Sequence, residues 1–453
     1  MKRDHMKAKL VLCLIALAAM CATAQTALAQ DAGAAKIVLT NCNVIDCTGG
    51  PLRENMTVVI TGNRISDISE GRYSGEADEN TRVLDLDGGY VLPGFWNMHS
   101  HISDLLPDVN DMLGTEDVLP AAIRAGRNAM DGIKRGFTSL RMTGERDYID
   151  VAWRDAFNAG VFVGPRIFAS GKIVMPSPRG NRAGGWPVGL YADGPDEVRA
   201  AMLENIEKGA DFIKIIAPRL SQEEMVAAIE TAHAAGLRVT AHSGGEVARR
   251  AIEAGADCIE HGNSLTDETI QMMADKGTFL DPTIVCNLSE QYIADRERLI
   301  SESGLPQDPE VVKGRILVAY ADERSQEAAA SNRAILVKAQ AAGVRIIAGS
   351  DSSPVGEIGL LEIEQLAFSG LTEMQALIAA TRNCADMVGV LDDLGTVEKG
   401  KFADLVVLER NPLDHISNIR TLKMVFKDGL PVNLGKNEGQ ASFWKLYFTE
   451  KVK

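Results

Sequence analysis

Pro93-Gly94-Phe95-Trp96-Asn97-Met98-His99-Ser100-His101 reads as a short apolar strand ending in His-x-His. Alternate strand residues point to one side, so His99 and His101 project together from the carboxyl end of Gly94–Met98. Two convergent imidazoles supply half of a tetrahedral shell for zinc or a related ion. Taken alone, the motif is equally a pair of hydrogen-bonded surface histidines. The rest of the inventory moves the reading: the chain holds 7 histidines, and four belong to or follow strand-like runs.

Downstream of the motif, helical stretches and apolar strands alternate. Helical Thr115–Arg135 precedes a strand at Phe137–Arg141, and Val151–Ala159 precedes Arg166–Ala169. Asp196–Lys208 leads to Phe212–Ala217, Glu223–Ala235 to Arg238–His242, and Val247–Ala254 to Cys258–His261. Thr266–Lys276 leads to Thr278–Asp281, and Ser325–Ala341 to Arg345–Asp351. The helices are closed by glycines such as Gly136, Gly160, Gly209, Gly236, Gly255, Gly277 and Gly343. Repeated strand and helix alternation predicts parallel strands, and eight of them predict an α/β fold of the closed (β/α)8 TIM-barrel type over 92–388. Leu288–Asp322 is charged and Pro-punctuated and reads as a partly helical insertion near the barrel mouth.

Upstream, short runs at Ile37–Leu39, Val44–Asp46, Thr57–Ile60, Arg64–Ile68 and Arg82–Leu86 are separated by turn residues, the pattern of a small antiparallel domain over 30–91. After a helix at Thr372–Val388, short strands return at Gly400–Leu408 and Lys423–Lys427. The segment 389–453 is therefore expected to join the N-terminal strands in one composite β-sandwich. Its tail carries Phe443, Trp444, Tyr447 and Phe448, which suit packing or assembly, and a homo-oligomer is expected.

A chain of 453 residues accommodates a barrel of about 250 residues with an appended domain. Residues 1–29 combine a basic start (Lys2, Arg3, Lys7, Lys9), an apolar run Leu10–Ala24 and the small-x-small site Ala27-Leu28-Ala29, the features of a secretory signal peptide. Its removal takes away those four basic residues and Asp4, moving the net charge from −15 to −18. A periplasmic or secreted protein follows, with no nucleic-acid partner at that charge and no membrane insertion once the signal is gone. Five cysteines remain, and whether Cys42 and Cys47 pair is left open by their close spacing.

His242 closes Val239–His242, His261 closes Ile259-Glu260-His261, and Asp351 closes Ile346–Asp351. With His99 and His101 these place five ligand-type residues at one end of four strands, a pattern specific for a metal site. Lys214 sits inside Phe212-Ile213-Lys214-Ile215-Ile216, where every neighbour is apolar. A buried ammonium is costly unless paired or neutralised, so Lys214 either reaches a rim carboxylate or loses its proton.

Pro-Gly-Phe-x-x-x-His-x-His, the strand lysine, Ala-His-Ser-Gly-Gly, Ile-Glu-His-Gly, Gly-Ser-Asp and Gly400-Lys401-x-Ala403-Asp404-Leu405-Val406 together resemble the amidohydrolase superfamily, and within it the secreted prolidase-like and imidazolonepropionase-like branch. The resemblance covers the whole mature chain. It implies two divalent metal ions, with zinc the expected metal: His99, His101 and Asp351 on one ion, His242 and His261 on the other, and a carboxylated Lys214 and a hydroxide bridging them. It implies hydrolysis of a small-molecule amide (a dipeptide, Xaa-Pro type, or an N-acyl amino acid), with Asp351 carrying the proton from water to the leaving amine.

The chain departs from that branch in having Arg141-Met142 after the second strand where relatives have Arg-Asp, Gly184-Gly185-Trp186 in place of Gly-Gly-His, and no Tyr in Pro218–Ser221. Arg141 and Arg219, at or just past strand ends, are the candidates for holding a substrate carboxylate. Three alternatives are a lactonase or phosphotriesterase on the same binuclear site, a mononuclear deaminase, and a binding protein on a decayed barrel. A deaminase would normally lack the strand lysine and show a His-x-x-x-Glu acid, which Glu246 after His242 matches loosely.

Overall fold

The computed structural model describes residues 36–75, 77–103, 117–178, 186–287, 326–352 and 355–435. The signal-like residues 1–29, the whole Leu288–Asp322 insertion and the aromatic tail lie outside them. Among the described residues no helix is long and apolar enough to cross a membrane.

Both ends of the chain build one sheet. Strands β1 (Lys36–Val44), β2 (Arg53–Thr61), β3 (Arg64–Glu70), β4 (Thr81–Asp85) and β5 (Tyr90–Pro93) come from the N-terminal side. The C-terminal β15 (Leu405–Leu408), β16 (Leu422–Lys427) and β17 (Leu430–Pro431) join them through antiparallel pairing of β15 with β5. The path runs β17-β16-β15-β5-β1-β2-β3, with β4 on β1. Period-2 alternation divides its core: Leu405 and Val407 enter the sheet's own apolar cluster, whereas Val406 and Leu408 enter the main cluster. Cys42 and Cys47 are both buried and free, their thiols directed at the carbonyls of Met56 and Ile45.

The rest of the strands are parallel. One sheet is β6 (Phe95–Ser100), β7 (Phe137–Met142) and β8 (Arg166–Phe168); the other runs β10-β9-β11-β12-β13-β14. Its members are β9 (Ile173–Met175), β10 (Gly189–Tyr191), β11 (Ile213–Ile216), β12 (Val239–Ser243), β13 (Cys258–His261) and β14 (Phe279–Asp281). Backbone bonds continue each sheet toward the other on both sides: Asp211 N donates to Ala169 O beyond β8, Ile347 N to Leu280 O, and Met98 N to Ala348 O. Intervening helices fall close to their expected places, as with Gln222–Ala234, which opens in a Ser221/Glu224 capping box. Gly255 (φ 106°) and Gly277 (φ 71°) end their helices in the left-handed conformation that disfavours a Cβ.

Three expectations change. Arg345–Asp351 is not a continuous strand but a single bridge at Ile346, because Ala379 and Ala380 take the bonds of Ala348 N and Trp96 N. Thr372–Val388 is two helices, Glu373–Ala379 and Arg382–Met387, divided at Thr381. A helix at Val355–Phe368, buried through most of its length, and the short β9 and β10 add to the expected elements: the helix is buried nearly all round, with Glu357, Glu362 and Glu364 spread among its apolar residues, so no one-sided stripe marks it.

Candidate metal centre

Strand register sets the face that the chemistry occupies. Paired residues of parallel neighbours share a side, and the pairs Lys214↔Thr240, Thr240↔Cys258, His242↔Glu260 and Glu260↔Asp281 put all six residues on one face in successive layers. His261, one residue past Glu260, has the wrong parity. A left-handed backbone at φ 69° turns it, and it reaches His242 at 4.4 Å and His99 at 5.2 Å between ring centroids. Asp351 is also left-handed, at φ 45°. Conformations of this kind cost roughly 1–3 kcal/mol and persist where surrounding structure imposes them.

His99, His101 and His261 converge on Asp351. Its Oδ1 lies 3.2 Å from His99 Nε2 and 3.4 Å from His101 Nε2, and its Oδ2 lies 3.9 Å from His261 Nε2. The ligand-type atoms of His99, His261 and Asp351 are close enough together to hold one ion. In each of these histidines Nδ1 faces an oxygen: Glu260 Oε2 at 2.7 Å for His99, Gly144 O at 2.8 Å for His101, and Thr283 Oγ1 at 2.8 Å for His261. Such contacts fix ring orientation and leave Nε2 for the centre.

The electrostatics suit cation binding. Burial pushes His99 and His242 down to about 4, and burial followed by the charge of His242 takes His261 well below its ordinary value, so all three are neutral donors near pH 7. Burial works to raise the Asp351 carboxyl, but His99, His101 and His261 outweigh it and hold the group ionised. Lys214 is 2% exposed, its basicity is lowered first by burial, and its Nζ finds no hydrogen-bond partner among the described residues. An orphaned, readily neutralised amine near the imidazoles of His99, His242 and His261 and the carboxylate of Asp351 fits a site completed by cations.

Arg141 is not a rim residue. It is fully buried: Nε donates to Met98 O, Nη2 lies 2.5 Å from Glu260 Oε1 and 3.2 Å from Asp281 Oδ2, and its side chain is closed off from substrate. Its inward parity on β7 draws it under the centre, where two acids compensate the charge. Arg219 is exposed, in a short turn just past β11. Glu246 is exposed and bonded to Arg249 on its own helix, so it does not serve as the acid of a deaminase.

Glu260 and Asp281 were not singled out by the sequence, although the acid inside Cys258-Ile259-Glu260-His261 is the same anomaly as Lys214 in its strand. Burial acts to raise Glu260, yet Arg141 and Lys214 keep it well below the usual carboxylate range. Burial and the Glu260 charge push Asp281 above its ordinary value.

The model of the amidohydrolase family matches residues 90–432. The ochratoxinase of Aspergillus niger is 29% identical over 374 residues, covering 74% of this chain and 73% of that protein. An uncharacterised protein of Mycobacterium tuberculosis is 30% identical over 362 residues, covering 76% and 85%. A crystal structure of a Xaa-Pro dipeptidase with methionine bound in its active site superposes with a TM-score of 0.73 at 29% identity, over 88% of this chain and 100% of that one.

Proposed function

The chain belongs to the amidohydrolase family, and from that premise we propose that it is a binuclear, zinc-dependent hydrolase that cleaves the C–N amide bond of a dipeptide of Xaa-Pro type or of an N-acyl amino acid. The observation that carries the reading is the convergence of His99, His101 and His261 on Asp351, with the orphaned Nζ of Lys214 on the same strand face as His242. His99, His101 and Asp351 would hold one ion and His242 and His261 the other, with a carboxylated Lys214 as a ligand shared between them. Ions bound there supply Lewis-acid activation of water and of the scissile carbonyl.

The remaining work falls to the chain's own residues. Asp351 is ionised and 24% exposed at its side chain, so it accepts the proton of the attacking water at a carboxylate oxygen and delivers it to the leaving amine. An amide needs that protonation because an amine anion is a poor leaving group. The neutral imidazoles keep their lone pairs on the centre, and the buried floor of Arg141, Glu260 and Asp281 keeps water out from below. Arg219 is the candidate for the substrate's carboxylate, being the cation at the end of the lysine strand. The amide reading draws support from the dipeptidase and ochratoxinase named among the similar proteins.

In this reading β6, β7, β8, β11, β12, β13, β14 and 345–348 are the eight strands of a (β/α)8 barrel over 92–388, with β9 and β10 as additions and a domain built from 30–91 and 389–453 beside it. The mature chain begins near Gln30, is periplasmic or secreted, and assembles with copies of itself. The deciding experiment loads the purified mature protein with zinc and assays a panel of dipeptides, N-acyl amino acids, lactones and phosphotriesters. Turnover is expected on the amides; far faster turnover of a lactone or phosphotriester would replace the assignment.

A further inference from the structure

Beneath the centre, Arg141, Glu260 and His99 form a line of direct contacts that a role in substrate binding or simple packing leaves unexplained. Glu260 is fully buried, and its oxygens are taken up from several sides: Arg141 Nη2 and Thr240 Oγ1 donate to Oε1, the Cys258 thiol approaches Oε1 at 3.6 Å, and His99 Nδ1 meets Oε2 at 2.7 Å. Arg141 cannot give up its charge, and it is anchored a second time at Met98 O, the carbonyl just before His99. The guanidinium thus holds both the backbone that carries His99 and the acid that meets its ring.

We propose that Glu260, anchored by Arg141, is a positioning residue that fixes His99 with its hydrogen on Nδ1 and its lone pair on Nε2, and so sets the zinc affinity of the centre. A carboxylate only accepts, so the hydrogen between His99 Nδ1 and Glu260 belongs to the ring. Asp351 Oδ1, 3.2 Å from Nε2, competes for the same hydrogen, and the closer Glu260 at 2.7 Å wins it. With Arg141 gone, Glu260 loses a donor that anchors Oε1 and Met98 O loses its side-chain partner, so neither the acid nor the backbone holds the ring of His99 in place. The inference rests on the metal-centre reading proposed above but not on which bond is cleaved.

The test needs no substrate. The full mature chain, stripped with a chelator and labelled with 15N-histidine, is expected to show His99 as the Nδ1–H form at neutral pH; an Nε2–H or doubly protonated His99 in the wild type overturns the proposal without any variant. Zinc titration against a competing chelator should then show affinity reduced about 10- to 100-fold in Glu260→Gln and in Arg141→Met, with most of it regained in Arg141→Lys, which keeps the charge. Variants whose zinc-free melting temperature falls while the zinc affinity of the folded protein stays unchanged would reduce the line to a structural one. Failure to bind zinc in the wild type would instead remove the metal-centre reading itself, and absence of amide turnover with normal zinc binding would remove only the substrate assignment.

Discussion

His99 and Asp351 are joined twice: the backbone N–H of Asp351 donates to His99 O at 2.8 Å, and Asp351 Oδ1 lies 3.2 Å from His99 Nε2. The first strand of the parallel system and its last segment are thereby locked at the point where the chemistry converges. Asp351→Asn keeps the shape and the backbone bond but removes the proton acceptor. Its kcat is expected to fall by about 10² to 10⁴ with little change in KM. A variant that mainly raises KM would instead make Asp351 a substrate-binding group.

Metal analysis of the purified protein should return about two ions per chain, given two sets of ligands and a lysine able to join them. Lys214→Ala should lose one ion or both together with activity. One ion per chain in the wild type, with content and activity unaffected by Lys214→Ala, would exclude the bridging carbamate.

Stability should carry a signature of Glu362, a buried acid on the helix Val355–Phe368 whose two oxygens accept the N–H groups of Ile284 and Val285 at 2.9 and 2.8 Å. Burial outweighs those two donors and pushes its carboxyl up to about 8, from an ordinary 4.5. The folded state therefore binds a proton that the unfolded chain releases. Its contribution is complete below about 4.5 and is lost as pH rises to about 8. Melting temperatures between pH 5 and 8 should fall less steeply in Glu362→Gln than in the wild type; parallel slopes would show that this carboxyl is ionised throughout.

The junction between the composite sheet and the parallel strands is held by Arg166 of β8. Its Nε lies 3.0 Å from the buried Asp404, it also meets Asp428, and its guanidinium stacks 4.4 Å from the Phe402 ring, whose centroid Arg64 approaches at 4.0 Å. Arg166→Ala leaves Asp404 with Lys427 at 3.4 Å as its remaining cation and should cost about 2–4 kcal/mol, read as a lower urea midpoint at unchanged slope. A loss below about 0.5 kcal/mol would class the cluster with surface ion pairs.

Much of this molecule is local and therefore legible in the sequence. The alternation of apolar runs with helices closed by glycine set the order of the main strands and helices from Phe95 to Asp281, β9 and β10 excepted, since capping and periodicity act within a few residues. Lys214 stood out because an ammonium among apolar strand residues violates the cost of burying charge. Alternation within one strand puts Thr240 and His242 on one side, whereas the register that adds Lys214 and Glu260 to that face belongs to the assembled sheet.

What parity could not supply was decided by contacts between distant segments. His261 and Asp351 reach the centre through left-handed backbone, a conformation stabilised only by its surroundings. Arg141 looked like a rim cation and is a buried one, because its partners Glu260 and Asp281 lie on β13 and β14, more than a hundred residues away along the chain. Charge at a strand end is written in the sequence. Whether it faces solvent or an opposite charge depends on which strands close over it, and that is settled only when the tertiary structure forms.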